Sequence, residues 1–197
     1  MRKIIIGLCV IILFCAWNGW NGRVSRPYVR QSVFTGYSDI TTNMTADNAP
    51  SPLVTSCCAD NGTGYEAWNA FDGVTNSTTV FFFTLSTEGV SNHWIKYDWG
   101  TNRAYTITKY TVQAAFGTYG TRGQMNSWNV YGSNPAASRV LLDTRTAQGA
   151  WTTGERRTFE VSSSGSYRYY LLDDLINTGS YKYVTCEEIR WFESVWQ

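Results

Sequence analysis

The sequence predicts an all-β fold, a β-sandwich or jelly roll of about eight short antiparallel strands. Three observations predict it. From residue 53 onward, short segments with an apolar residue at every second position are separated by clusters of Gly, Asn, Ser and Asp. No alternation of strands with long helical patterns appears, which disfavours a parallel, doubly wound enzyme fold. Charged residues make up only 16% of the chain, and aromatic residues also reach 16%. That balance suits an extracellular β domain and is too apolar for disorder.

The 197 residues open with Met1, Arg2 and Lys3 and continue as an uncharged apolar run from Ile4 to Trp17. A basic start followed by about 14 apolar residues is an export-signal pattern, because about 20 are needed to span a bilayer. Residues 1–22 are therefore expected to be a signal peptide or, with Trp17 and Trp20 as interfacial aromatics, an uncleaved membrane anchor. Either way the protein is expected to be secreted or held at an extracellular surface, touching membrane only through this segment. Residues 23–52, with Pro27, Pro50 and Pro52 among Ser and Thr, read as a linker or lead-in. Residues 53–197 are expected to form the domain.

Within it, residues 65–71 read as one or two helical turns, ended by Asp72 and Gly73. Residues 93–99 place Ile95, Tyr97 and Trp99 on one face and Trp94, Lys96 and Asp98 on the other. The strand signature repeats at 105–116, 128–132, 139–144, 157–161, 167–172 and 182–192. Between them, Gly117, Gly120 and Gly123 argue for an exposed loop.

Several function classes lose their basis. The net charge is +1, and without residues 1–22 there are 14 basic against 15 acidic side chains. Nucleic-acid binding then has no electrostatic footing. The single histidine, His93, reads as a loop-end surface residue with no nucleophile near it in sequence. Asp173 with Asp174, and Glu187 with Glu188, are strand neighbours that face opposite sides, so neither pair forms an acid/base couple. No enzyme is expected. Three cysteines remain beyond the export segment, Cys57, Cys58 and Cys186, an odd count without the second CxxC or His cluster of a zinc site. Sequons at Asn43, Asn61 and Asn76 lie in polar, loop-like stretches.

The run from Tyr65 to Gly73, Y-E-A-W-N-A-F-D-G, resembles the "A-F-D-G" turn of coagulation factor 5/8 type C (discoidin) domains, whose jelly roll is shared by family 32 carbohydrate-binding modules. Further matches follow in the family's order. W-I-K-Y-D-W-G at 94–100 is similar to its "W-I-x-x-D-x-G" strand, and Arg122 with W-N-V-Y-G-S at 128–133 to "R…W-x-x-x-G-S". L-D-T-R at 142–145, Y-R-Y-Y at 167–170 and V-T-C-E-E-I-R-W-F at 184–192 resemble the closing strands.

The resemblance implies a set of sites. A structural cation, calcium, would sit between Asp72, the segment with Val74, Asn76 and Thr78, and Glu188, since a hard ion takes about 6 to 8 oxygens. The alternative is that Asp72 only forms the turn while Glu188 pairs with an arginine. Arg122 and Asn126 match the family's sugar-binding Arg and Asn, with Phe82, Tyr119 or Tyr181 as the stacking ring. The alternative for Arg122 is an anchor for its own loop, and for the run Phe81 to Phe83 a cap on the core. The family's His is absent, which tells against galactose itself. The resemblance also places the 53–58 strand beside the closing strand, implying a bridge from Cys186 to Cys57 or Cys58. Such a bridge would close a loop of about 130 residues and contribute roughly 4 to 5 kcal/mol.

The resemblance thus implies a non-catalytic, glycan-binding and adhesive module whose partner is a glycan or glycoprotein surface. Two other readings stand beside it: a structural subunit of a virion or extracellular assembly, acting by self-assembly, and a phospholipid-binding module inserting Phe81 to Phe83.

Overall fold

The computed structural model describes residues 32–77, 82–85, 93–135, 138–177, 179 and 181–197. The export segment expected at 1–22 lies outside them. Among the described residues no helix is long and apolar enough to cross a membrane.

The described residues hold thirteen strands, more than the eight expected. One antiparallel sheet has four strands in the order β1 (Phe34–Asp39), β13 (Glu188–Trp196), β6 (Lys109–Gln113) and β9 (Arg156–Glu160). The other has five, in the order β2 (Val54–Cys57), β4 (His93–Asp98), β11 (Tyr169–Asn177), β7 (Met125–Ser133) and β8 (Val140–Arg145). Two small pairs close the ends: β3 (Phe82–Leu85) with β12 (Tyr183–Cys186), and β5 (Tyr105–Thr106) with β10 (Ser166–Tyr167). A 3-10 turn spans Ala67–Phe71, and a single short helix, α1, spans Gly117–Arg122.

Alternation decides what each strand buries. Ile95 and Tyr97 on β4, Trp128 and Val130 on β7, and Tyr170 and Leu172 on β11 face Tyr110, Val112, Ile189 and Trp191 from the other sheet. The core also binds the sheets through polar groups. Trp128 Nε1 donates to the Tyr110 hydroxyl at 2.9 Å, and that hydroxyl donates to Asp143 Oδ2 at 2.8 Å. Asp143 is in turn held by Arg145 Nε at 2.7 Å and the Ser162 hydroxyl at 2.7 Å, so the buried carboxylate is paired and its lone pairs are used.

Three long expected strands divide because their backbone groups find other partners. The 105–116 segment breaks where the Ile107 N–H donates to the Tyr170 hydroxyl at 3.2 Å instead of to a neighbouring strand. The 182–192 segment breaks at Glu187, whose N–H turns to the Gln113 carbonyl at 2.9 Å. The 167–172 segment breaks at Arg168, whose N–H goes to Asn134 Oδ1 at 3.0 Å.

Residues 32–52, expected as linker, belong to the domain. Ser32–Gln197 form one compact unit. β1 pairs along β13, Met44 is buried in the core, and Asp47 Oδ1 accepts from Thr55 Oγ1 at 2.9 Å and from the Trp68 N–H at 3.1 Å.

Two further expectations are corrected. Cys57, Cys58 and Cys186 are free thiols: Cys57 ends edge strand β2 beside β4 in the five-stranded sheet, while Cys186 ends β12, which pairs with β3 in a separate two-stranded sheet. His93 is buried at the start of β4, where desolvation lowers its pKa. The sequon residues Asn43, Asn61 and Asn76 are all exposed.

Candidate functional site

Arg122 ends α1, and the chain then turns into β7 through Gly123. A Cβ at Gly123 would lie 2.6 Å from the Tyr183 ring, so only glycine lets that ring close against the turn. The Thr185 N–H donates to the Gly123 carbonyl at 2.7 Å and fixes the same corner to β12. The exposed Arg122 guanidinium then lies 5.7 Å from the centroid of the Tyr181 ring, which is 44% exposed. Tyr181 and Tyr183 pack with ring centroids 5.5 Å apart.

The loop carrying Tyr181 is organised by Asn177, a residue that no sequence motif singles out. Its amide nitrogen donates to the carbonyls of Tyr181 at 2.6 Å and Tyr183 at 2.7 Å, while its oxygen accepts the Gly179 N–H at 3.0 Å. One buried side chain therefore satisfies three backbone groups and holds the ring where Arg122 can reach it.

The structure brings Arg122 and Tyr181 together and commits the other expected ligand residues elsewhere. Asn126 lies on β7 rather than in a loop, and its Oδ1 accepts the Gly149 N–H at 3.0 Å, clamping the β8–β9 connection. Phe82 is 0% exposed in the core, which removes it as a stacking ring. The Tyr119 side chain, like Phe81, lies outside the described set.

The turn after Phe71 is pinned by side chains from three strands. Gly73 and Ser77 donate their N–H groups to Glu188 Oε2 at 3.1 Å and Glu187 Oε1 at 2.7 Å. Gln113 Nε2 donates to the Thr75 carbonyl at 3.1 Å, and Arg156 Nη2 holds Gln113 Oε1 at 2.6 Å. Arg190 Nε lies 2.6 Å from Glu188 Oε1. Burial pushes the carboxyl groups of Glu188 up to about 9 and Glu187 up to about 7, against the pull of Arg190 on Glu188, and burial also raises Asp72.

The resemblance implied a calcium ion among the donors of this turn, and Asp72 and Glu188 do meet there. Glu188 Oε2 accepts the Gly73 N–H, Glu188 Oε1 faces the Arg190 guanidinium without a formed hydrogen bond, Asp72 Oδ1 accepts the Val74 N–H at 2.7 Å, and Val74 and Asn76 are exposed. Among the described residues no three His, Cys, Asp or Glu side chains converge. Thr78 lies outside the described residues.

No family model and no curated protein matches the sequence. Solved structures do match. A family 32 carbohydrate-binding module of Clostridium perfringens NanJ, in complex with galactose, is 13% identical, covering 72% of this chain and 93% of its own, with a TM-score of 0.56. A second Clostridium perfringens module, in complex with GalNAc-β-1,3-galactose, is 18% identical over 72% and 95% with a TM-score of 0.55. A factor 5/8 type C domain from Bacteroides fragilis is 16% identical over 76% and 95% with a TM-score of 0.57. The chain has the β-sandwich fold of family 32 carbohydrate-binding modules and discoidin domains.

Proposed function

We propose that the chain is a non-catalytic glycan-binding module, secreted or displayed at an extracellular surface, that engages sugar through Arg122 and Tyr181. The observation that carries this reading is the exposed guanidinium 5.7 Å from a part-exposed ring, on a loop clamped by Asn177. A planar guanidinium donates to vicinal hydroxyls, and the ring face takes the apolar C–H face of a pyranose. Structural neighbours solved with galactose and with GalNAc-β-1,3-galactose support the ligand class. With one charged donor and one ring, the affinity for a monosaccharide belongs roughly in the millimolar range. A glycan array probed with the purified chain tests the reading, and array-wide absence of binding contradicts it.

A second reading, self-assembly, is favoured by a separate observation. Phe34 and Tyr37 on edge strand β1 and Trp196 at the end of β13 are exposed, with Phe34 centroids 5.1 and 5.4 Å from the other two rings. An edge strand bearing exposed aromatics is a template for a second chain. Light scattering that reports a monomer up to about 0.1 mM, a concentration at which weak contacts near −5.5 kcal/mol half-populate, removes it. The phospholipid reading loses Phe82, which is buried.

A further inference from the structure

The outer face of the five-stranded sheet carries a second concavity. Tyr170 and Leu172 of β11 point into the core, so Tyr169, Leu171 and Asp173 face the opposite side. The register sets Leu171 between Lys96 of β4 and Tyr131 of β7, and sets Tyr169 opposite Ser133. Tyr131 and Tyr169 are therefore diagonal neighbours on adjacent strands, about 7 to 8 Å apart along the backbone, within reach of one another's side chains. The cavity of about 200 Å³ that results is lined by Lys96, Tyr131, Ser133, Arg139, Tyr169 and Leu171. Its floor, Leu171, is 4% exposed yet lies outside the core cluster, covered only by these outward-facing neighbours.

Charge in this cavity is not balanced. Asp98 is held by Arg168 through two bonds of 2.8 and 2.9 Å, and Asp173 by Arg139 at 2.6 Å. Beside them Asp174 Oδ2 accepts from Asn129 Nδ2 at 3.0 Å, so each of these carboxylates already has a partner. The Lys96 ammonium has no carboxylate at ion-pair distance among the described residues and instead lies 5.5 Å over the Tyr169 ring, whose centroid is also 4.8 Å from Arg168. With Lys96 and Arg168 both over Tyr169, the second tyrosine, Tyr131, is left as the apolar surface beside an ammonium that no carboxylate pairs.

We infer that this cavity is a second carbohydrate site, selective for acidic sugars: a pyranose lies on Tyr131 beside Tyr169, and its carboxylate pairs with Lys96. The inference is independent of the Arg122–Tyr181 site, which is built on other elements. An anionic sugar supplies both things the cavity lacks, a flat C–H face for the rings and a counter-charge for the ammonium, whereas a neutral sugar leaves the charge unmatched and a flexible acidic peptide leaves the rings uncovered.

The test is calorimetric titration of the full chain with a galacturonate hexamer, with its methyl ester and with a glutamate hexamer, at low and at physiological salt. The expected result is binding of the free acid that weakens with salt, about tenfold weaker binding of the ester, and no binding of the peptide. Lys96→Met weakens the acid by about tenfold and Tyr131→Leu also weakens it, while Arg122→Ala leaves it unchanged. Both substitutions are on the solvent face, and an unaltered melting curve verifies the fold. The inference is overturned if the acid does not bind at millimolar concentration, if Lys96→Met binds as the parent does, or if the peptide binds as well as the sugar. Loss of acid binding in Arg122→Ala alone also overturns it, and assigns the acid to the other site.

Discussion

Arg190 Nε lies 2.6 Å from Glu188 Oε1, two residues earlier on the same face of β13, and a Cβ at Gly73 would come within 2.8 Å of the same guanidinium. The arginine thus packs under the turn that follows Phe71 and supplies the positive charge that two neighbouring acids, Asp72 and Glu188, require.

The turn is accordingly expected to hold without a metal. The melting temperature should be the same in a chelator and in millimolar calcium, because only a ligand that binds the folded state raises stability. Arg190→Ala should destabilise by about 1 to 3 kcal/mol, because the buried Glu188 carboxyl, raised to about 9 and so protonated at neutral pH, loses its polar partner. A calcium-dependent rise in melting temperature would show that an ion shares the turn with Arg190.

The hydroxyl of Tyr110 is the junction between the two sheets, accepting from Trp128 at 2.9 Å and donating to Asp143 at 2.8 Å. Tyr110→Phe should destabilise by about 1 to 3 kcal/mol, since a buried indole N–H loses its acceptor and a buried carboxylate loses a donor. Urea denaturation measures it. A loss below a few tenths of a kcal/mol would mean that the network is dispensable.

The thiols are expected to stay unpaired and slow to react. Burial pushes the Cys57 thiol up to about 12, and burial also raises the Cys186 thiol well above its usual value. At pH 8 the Cys57 thiolate is then roughly a thousandfold scarcer than in the unfolded chain. Iodoacetamide should label Cys57 and Cys186 only after denaturation. Non-reducing peptide mapping that recovers Cys186 joined to Cys57 or Cys58 would refute the arrangement.

Strands with regular alternation are legible in the sequence: residues 93–99 display the two faces that their pattern predicts, with Ile95 and Tyr97 in the core and Lys96 outside. What is not legible depends on partners distant in sequence. β1 reads F-T-G-Y-S-D, with glycine at its centre and exposed residues on both sides, and it is a strand because β13 offers it a ladder. α1 contains Gly117 and Gly120, which disfavour a helix, so the segment reads as loop. Within the candidate site, Arg122 follows from the resemblance, and Tyr181 from its place in a Gly-rich loop. Asn177 does not, because an amide that works by bonding three backbone groups has no pattern in a sequence. The resemblance assigns Asn126 to the sugar, but its oxygen serves the β8–β9 connection, a partnership that exists only once that connection is folded against β7.

The most direct test of the account is the binding of neutral glycans to the parent chain beside Arg122→Ala and Tyr181→Ala. Both residues are exposed, so both variants should melt as the parent does. The account predicts that the parent binds at least one neutral glycan and that each variant weakens that binding by about tenfold or more, as loss of a charge-assisted bond or a stacking ring would. Equal binding by parent and variants, or no neutral glycan bound by the parent, would contradict the assignment of this surface to sugar recognition.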